Sequence, residues 1–469
     1  MRAWSSTSRC AAATARPIAT IASASWRKCS STTTAPAPSN TGLVAACGRT
    51  RTPFAFAVRR WKMRGGTTGD GERRAAPQLL RETARRVSTL MGMPLAPREG
   101  MRTVDNDGGP DVDALLASEA VKLCPGFQVV ELRRLAADAD TSDETHKSAG
   151  YGVPRRIRLR AADGRERSLV FHVAGSDAFG HDRRADRAAE QLLAFDTFGD
   201  IPRHVRAVDV GAVTATGLLS LRDARELYLV TEWADGTPYA DDLRRIARER
   251  RLGPEDIPRA GALARYLVEL HRRSGGRAMQ YRRSVRDLVG SGEGIFGMLD
   301  GYTDDTPAAP PARLAAIERR CVEWRHRLCR LDSRATTIHG DFHPFNVVFS
   351  AGTDFTLLDA SRGCVGDAAD DVTAMAINYL FFALDHEGAW EGGLRTLWHH
   401  FWRTYLDASG DEQLLGAAAP YLAWRGLVVC SPTFYPSLAP DARDRMLRLV
   451  ERALASDRFD PAWADEVAR

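Results

Sequence analysis

The hydrophobic pattern of the chain is mainly strand-like before Gly236 and mainly helical after it. Before this glycine, residues 126–173 and 226–233 alternate apolar and polar side chains, which is typical of half-buried strands. After it, apolar residues recur at helical spacing, as at Leu263, Tyr266, Leu267 and Leu270. A chain that places its strands first and its helices later is expected to form an α+β fold, with a cleft between a sheet lobe and a helical lobe.

Turn residues and apolar spacing predict the individual elements. A hairpin is predicted over residues 157–173, and residues 226–233 are predicted to be the last strand of the sheet lobe. Residues 181–198 predict an amphipathic helix with an apolar face of Ala185, Ala188, Ala189, Leu192 and Leu193. In the helical lobe we expect a short hairpin over residues 347–358 and further helices that include 397–405 and 421–429.

The first hundred residues differ in composition from the rest. Residues 1–69 contain eleven Lys or Arg and no acid, so removing them changes the net charge from +5 to −6. Such a segment is interpreted as a transit peptide, a disordered tail or translated sequence upstream of the true start. We favour the last, with Met101 as the start, because sixty-one arginines against four lysines indicate GC-rich coding. The predicted domains are a leader (1–100), a sheet lobe (101–235) and a helical lobe (236–469).

Charge and hydropathy restrict the partners. The acidic balance after the leader makes the chain a poor candidate for binding nucleic acid. No apolar run reaches the length that spans a bilayer, so we expect a cytoplasmic protein without a membrane partner.

One loop carries the residues for phosphoryl transfer. This reaction requires a carboxylate that orients the attacking hydroxyl, and oxygen ligands that hold magnesium against the phosphates. Asp341 supplies the carboxylate, Asn346 supplies an amide oxygen five residues later, and Asp359 follows at the end of the predicted hairpin. The same Asp-x4-Asn spacing and later Asp occur in the catalytic loop of protein kinases.

Three motifs together resemble the aminoglycoside phosphotransferase and choline-kinase-like family. They are IHGDFHPFNVVF at residues 338–349, LLDA at 357–360 and GDAADD at 366–371. The resemblance covers about residues 125–430 and implies a bilobal protein-kinase-like fold. It also implies that the enzyme uses ATP or another nucleoside triphosphate, with Mg²⁺, to phosphorylate a hydroxyl of a small molecule such as an amino sugar or amino alcohol.

The resemblance assigns roles to the loop residues. It implies that Asp341 is the catalytic base and that Asn346 and Asp359 bind magnesium. His343 would lie near the transferred phosphate, and His339 and Asp371 would brace the loop. The alternative is that these polar residues only cap a turn and satisfy the loop backbone.

The nucleotide contacts rest on fewer residues. Gly150 and Gly152 would let backbone amides approach the phosphates, although a glycine pair between strands also suits an ordinary turn. The resemblance places Glu190 opposite the phosphate-binding lysine, and it places the adenine against the backbone of Glu232 and Trp233.

The chain departs from the family where that lysine is expected. His172 stands there, and histidine is largely neutral near pH 7 unless a partner such as Glu190 raises its pKa. Lys147, Arg156 or Arg158 would then supply the missing charge. The alternative is that His172 is a core histidine and the chain is an impaired, nucleotide-binding pseudokinase that acts through a protein partner.

The acceptor is not identified by the sequence. An acidic rim of Asp385, Glu387 and Glu391 would suit a cationic substrate, with tryptophans at 390, 398, 402 and 424 as cation-π partners. The competing interpretation is a solvated acidic face and a helix core.

Overall fold

The computed structural model of the chain describes residues 113, 115–116, 122–135, 154–177, 179–272, 277–360 and 362–468. All of these belong to one compact unit, Asp70–Arg469. The predicted leader lies outside the described residues, and so does Lys147. The domain boundaries at residues 100 and 235 remain predictions.

The sheet lobe begins with a three-stranded antiparallel sheet of β1 (Phe127–Arg134), β2 (Arg155–Ala161) and β3 (Glu166–Phe171). The register sets Ile157 opposite both Leu132 and Leu169. Ile157 and Leu159 are buried in a small core with Leu116 and Cys124. The alternation of side chains along these strands therefore gives the sheet one apolar face, as predicted.

A helix and a hairpin follow this sheet. Helix α1 (Arg184–Thr197) confirms the predicted helix, but its predicted apolar face is wrong, because the helix buries no residue and Leu193 is exposed. The physical reason is that the stripe consists mainly of alanines, which gain little from burial, whereas ion pairs orient the helix. Asp186 accepts from Arg283 of the helical lobe at 2.8 Å. Strands β4 (Gly211–Thr214) and β5 (Gly217–Ser220) then form a hairpin that the sequence analysis missed.

The strand predicted over residues 226–233 is wrong. The segment has no regular structure, and its side chains are exposed, with Tyr228 at 90%. Alternating apolar residues form a strand only when a neighbouring strand satisfies their backbone N–H and C=O groups. The structure gives this segment no ladder partner within the described residues.

The helical lobe starts immediately after Gly236. Strand β6 (Thr237–Pro238) leads into a series of helices whose shared core is lined by leucine, alanine and aromatic side chains. In chain order the helices are α2 (Tyr239–Glu249), α3 (Asp256–His271), α4 (Ala278–Gly290), α5 (Ile295–Asp300), α6 (Pro311–Leu328), α7 (Ala368–Leu384), α8 (Arg395–Ser409), α9 (Leu414–Cys430), α10 (Pro440–Ala455) and α11 (Trp463–Val467).

Helix α7 is the centre of this lobe. Every residue from Ala368 to Leu384 is buried, and most of these residues are apolar, as expected for a central helix. The predicted helical segments 397–405 and 421–429 lie within α8 and α9, and the predicted stripe of α3 places Leu263 and Leu267 in the core. The predicted α+β fold class, with small antiparallel sheets before a mainly helical part, is confirmed.

Two small sheets hold the central loop of the helical lobe. Strand β7 (Thr336–Thr337) pairs with β10 (Val365–Gly366) before the loop. After it, β8 (Val347–Ala351) pairs with both β6 and β9 (Asp354–Leu357), which confirms the predicted hairpin. Residues 338–346 are thus anchored at both ends. Among the described residues, no helix combines the length and the apolar character needed to cross a membrane.

Candidate active site

The loop between β7 and β8 is shaped by a carboxylate from helix α7. Asp371 is fully buried in the first turn of this helix. Its Oδ2 accepts the backbone N–H of His339 and its Oδ1 accepts that of Gly340, both at 2.8 Å. Gly340 has φ +81°, a conformation that a residue with a Cβ adopts at a cost. The chain therefore turns sharply at Gly340 and presents Asp341 beyond the turn.

Asp371 is held in turn from behind the loop. His271, the last residue of α3, places its Nε2 3.2 Å from Asp371 Oδ2 and its Nδ1 2.7 Å from the hydroxyl of Tyr405. Asp367 caps α7 by accepting from the N–H of Ala369. Arg334 donates to both oxygens of Asp367 at 2.9 Å, which adds a bidentate pair. The loop thus rests on a rigid, buried polar network.

The carboxylate of Asp341 has three side-chain neighbours. Arg425 Nη1 donates to Oδ1 at 2.6 Å, and Asn346 Nδ2 donates to Oδ2 at 3.2 Å. His343 Nε2 lies 3.3 Å from the same Oδ2. The Nδ1 of His343 accepts from the N–H of Phe345, so the proton of a neutral ring sits on Nε2 and points at Asp341. The structure therefore brings Asp341, His343 and Asn346 together.

These neighbours set the ionisation of Asp341. Burial alone would raise the pKa of this carboxyl, but His343 and Arg425 outweigh burial and hold the pKa well below its usual range. Asp341 is accordingly a carboxylate at neutral pH that accepts hydrogen bonds and has little tendency to keep a proton. Such a group orients a hydroxyl better than it deprotonates one.

Arg425 is the main residue that sequence reasoning missed. It is buried in α9, where it is the only charged residue in a helix of otherwise apolar or small side chains and one tyrosine. Its Nη2 donates to Asp370 Oδ1 at 2.9 Å and to the carbonyl of Gly340 at 3.0 Å. A lone arginine in an apolar helix was the available signal, because a buried cation requires partners.

Asp370 completes this charged cluster. Burial raises its pKa to about 6, although the charge of Arg425 opposes this shift. Asp341 and Asp370 therefore share one guanidinium but differ in ionisation. Asp341 stays charged over the whole physiological range, whereas Asp370 begins to take up a proton below neutrality.

The two proposed magnesium ligands lie at the same end of the β8–β9 hairpin. The N–H of Leu358 donates to the carbonyl of Asn346 at 2.9 Å, so Asp359 comes one residue after this contact. Asp359 has φ +50°, which turns the chain there, and its side chain is exposed. In the described part of the chain, no group of three or more His, Cys, Asp or Glu has an arrangement that could hold a metal ion by itself. An amide and a carboxylate oxygen fit Mg²⁺, which keeps several waters and phosphate oxygens as ligands.

The predicted nucleotide residues are less closely grouped. Gly150 and Gly152 lie outside the described residues. His172 follows the last residue of β3 and is half-buried, and the exposed Glu190 on α1 lies 3.6 Å from His181 Nε2. Glu232 and Trp233 are exposed in the irregular segment before Gly236. Their roles remain predictions.

The arginines offered as substitutes for the missing lysine have partners within the sheet. Arg158 Nη1 donates to Glu131 of β1 at 2.6 Å, and its Nη2 contacts Glu166 of β3 at 3.3 Å. Arg156 Nη2 donates to Ser168 at 3.3 Å. The charge of Arg158 is therefore already compensated on the sheet surface.

Known proteins share features with this chain. The family model of the phosphotransferase enzyme family matches residues 158–421, more than half of the chain. No curated protein has a significant sequence match to this chain. Among solved structures, macrolide 2'-phosphotransferase type I is 18% identical and covers 76% of this chain and 99% of its own, with a TM-score of 0.25. Ethanolamine kinase of Plasmodium vivax is 13% identical and covers 76% and 86%, with a TM-score of 0.29. Glucosamine kinase is 13% identical and covers 74% and 98%, with a TM-score of 0.28.

Proposed function

Because the chain belongs to the phosphotransferase enzyme family, we propose that it transfers the γ-phosphate of ATP, or of another nucleoside triphosphate, to a hydroxyl of a small molecule. The family resemblance of the sequence and the predicted enzyme class, a small-molecule kinase, are confirmed. The observation that carries the proposal is the partly buried and ionised carboxylate of Asp341, held within hydrogen-bonding distance of Arg425 and Asn346.

Asp341 would orient the acceptor hydroxyl. Its Oδ1 is committed to Arg425, and its Oδ2 keeps acceptor capacity beside Asn346 and His343. A hydroxyl that donates to Asp341 has its oxygen lone pairs directed away from the carboxylate, toward the phosphorus. This arrangement lowers the barrier by positioning, the main source of catalysis in phosphoryl transfer.

Asn346 and Asp359 are the proposed ligands of Mg²⁺. Bound there, the metal would supply positive charge that stabilises the phosphate oxygens during transfer. The amide of Asn346 serves two purposes, because its Nδ2 donates to Asp341 and leaves Oδ1 free for a metal. His343 would stand next to the phosphate and donate from Nε2.

His172, Glu190, Glu232 and Trp233 are the proposed nucleotide contacts, together with the backbone of Gly150 and Gly152. Restoring the family residue tests this assignment. His172→Lys should lower the KM for ATP and leave the KM for the acceptor unchanged, because the new charge would act only on the ATP phosphates.

The central experiment compares Asp341→Asn with the wild type. The substitution keeps the shape of the side chain but removes its charge, so ADP formation should fall by roughly 10²–10⁴-fold with nucleotide binding retained. Asp457→Asn is the matched control, because Asp457 is an exposed aspartate paired with Arg327. Equal ADP formation by wild type and Asp341→Asn would contradict the proposal.

The pseudokinase alternative makes a different prediction in the same samples. A thermal shift with ATP that does not depend on magnesium, together with no acceptor-dependent ADP from the wild type, would favour it. A magnesium-dependent shift and Asp341-dependent turnover favour the enzyme. A cytoplasmic location and the lack of a nucleic-acid partner stay predictions.

A further inference from the structure

Two guanidinium groups pack on Trp424 of helix α9. Arg425 and Arg362 stack on the ring of Trp424, with their Cζ atoms 3.7 and 3.9 Å from the ring centroid. The Nε1 of Trp424 donates to the carbonyl of Glu293 at 2.9 Å. This hydrogen bond orients the indole, and both cations lie within cation-π distance of its ring.

Arg362 lacks a strong anionic partner among the described residues. Its side chain is 16% exposed, yet Nη1 lies 3.4 Å from the carbonyl of Glu293 and 3.8 Å from its carboxylate. The Glu293 side chain is 80% exposed, so water weakens this contact. Burial lowers the pKa of Arg362, and the attraction of Asp370 and Asp341 only partly offsets it.

Two other arginines of similar burial in the helical lobe are paired with acids. Arg334 donates to both carboxylate oxygens of Asp367 and also to Asp411, and Arg313 pairs with Asp444 and Glu451. Removing a guanidinium from water is costly unless an anion compensates it. Arg362 is therefore a largely buried cation whose acidic contact is weak, and its charge attracts Asp341 and Asp370.

The position of Arg362 identifies which reactant it meets. An ideal Cβ built on Gly340 lies 3.4 Å from Cβ of Arg362, so Arg362 adjoins the turn that presents Asp341. Its side chain then packs on Trp424 of α9, whereas Asn346 and Asp359 lie at the β8–β9 hairpin. Asp341 is the residue proposed to orient the acceptor hydroxyl, so Arg362 adjoins the turn beside which this hydroxyl would bind.

The structure does not place the tryptophans and acids considered for a cationic acceptor around Asp341. Trp390, Trp398 and Trp402 are buried in the core, and guanidiniums already cover Trp424. The acids at 385, 387 and 391 follow the far end of α7, about 20 Å along the helix axis from Asp371. The structure therefore supports the other interpretation of these residues, a helix core of tryptophans and a solvated acidic face.

We propose that the acceptor carries an oxyanion, a carboxylate or a phosphate, close to its hydroxyl, and that Arg362 binds it. The proposal rests on the proposed function and names its substrate class. In the reaction the hydroxyl oxygen forms a bond to the γ-phosphorus, the bond from this phosphorus to the ADP oxygen breaks, and the hydroxyl proton passes through Asp341 to water. Arg362 takes no part in these bond changes. Its proposed role is to bind the oxyanion and so to determine which acceptor the enzyme prefers.

The test uses acceptors built on one scaffold: glycerol as the neutral compound, glycerate and glycerol 3-phosphate as anions, and 3-amino-1,2-propanediol as the cation. The wild type should show kcat/KM at least about 10-fold higher for one of the two anions, which also tells carboxylate from phosphate. Arg362→Gln should raise the KM for that anion by about 10-fold or more. Arg362→Lys keeps the positive charge but loses the two-pronged guanidinium, so its KM for that anion should lie between those of the wild type and Arg362→Gln.

Arg327→Gln is the matched control, because Arg327 also stacks on a tryptophan, Trp324, at 4.7 Å, but lies on the surface with Asp457. It should leave acceptor preference unchanged. Wild-type turnover of glycerol or the amine that equals or exceeds that of both anions would overturn the inference and leave the kinase function standing. An equal fall of kcat for all acceptors in Arg362→Gln would also overturn it, since Arg362 would then contact the transferred phosphate.

A binding measurement separates failure of the inference from failure of the proposed function. Glycerate or glycerol 3-phosphate should raise the melting temperature of the wild type more than that of Arg362→Gln, without any turnover. The same shift in both proteins, or none in the wild type, overturns the anion site. Loss of Asp341-dependent ADP formation bears only on the kinase proposal.

Discussion

Replacing Arg425 by methionine should destabilise the protein strongly and in a pH-dependent way. The guanidinium is buried and is the shared partner of Asp341 and Asp370. Methionine fills a similar volume without charge, so both carboxylates lose their cation. Breaking a buried ion pair by removing one partner costs about 3–5 kcal/mol. We expect a loss of that size in the free energy of unfolding near pH 7.5.

The pH dependence follows from Asp370. Its pKa is raised to about 6 even with Arg425 present, and removal of the cation should raise it further. A carboxyl whose folded pKa exceeds its unfolded value stabilises the fold at low pH and loses this contribution as pH rises through the folded pKa. The cost of Arg425→Met should therefore be smaller at pH 5 than at pH 8. Adding Asp370→Asn should restore about 1–3 kcal/mol at pH 8, because the unpaired charge is gone.

Urea unfolding followed by far-ultraviolet circular dichroism measures these free energies. The control is Arg443→Met, because Arg443 is also buried but donates to the carbonyls of Cys430 and Pro307. Its loss should be the same at pH 5 and pH 8, and Asp370→Asn should not rescue it. A loss below about 1 kcal/mol for Arg425→Met, or equal rescue of both variants, would refute the reasoning.

Three further predictions concern the same fold. Because the pKa of Asp370 is raised to about 6, the wild type should lose about 3 kcal/mol in the free energy of unfolding as pH rises from about 4 to 6. Asp370→Asn should abolish this loss, which is measured by comparing urea unfolding of the two proteins at both pH values. Gly236→Ala should lose at least about 2 kcal/mol, since φ is +141° and the new Cβ would lie 2.3 Å from a carbonyl oxygen; Gly416→Ala in a helix should be neutral or stabilising by thermal denaturation. Tyr405→Phe should lower the free energy of unfolding by about 0.5–1.5 kcal/mol, because His271 loses the hydroxyl that orients it behind the loop. It should also change kcat by a larger factor than KM, with kcat falling. An unchanged kcat would contradict this.

Local features of the site could be predicted from the sequence. The Asp-x4-Asn spacing, the glycine at 340 and the hairpin after Asn346 involve residues close in the chain, so turn chemistry and alternation suffice to predict them. The helices α3, α8 and α9 were predicted because long apolar periodicity is a strong signal. The residues that set the ionisation of Asp341 and hold its loop were harder to predict, because their roles depend on contacts between residues far apart in sequence.

The errors have the same origin. Residues 226–233 alternate like a strand, but a strand requires a neighbour, which the pattern does not supply. The stripe on α1 looked like a buried face, but Arg283, about a hundred residues later, decides the orientation through Asp182 and Asp186. For the tryptophans the sequence left a binding surface and a helix core as alternatives, and packing placed them in the core.

By itself, the sequence determined the family, the order of sheet and helical parts, and the loop that carries Asp341 and Asn346. These depend on residue type and short spacing. Only the tertiary structure decided that Arg425, eighty-four residues after Asp341, holds its carboxylate, and that Arg362 packs on Trp424 beside the turn at Gly340. The physical reason is that a buried charge is defined by its partners, and folding brings those partners together from distant parts of the chain.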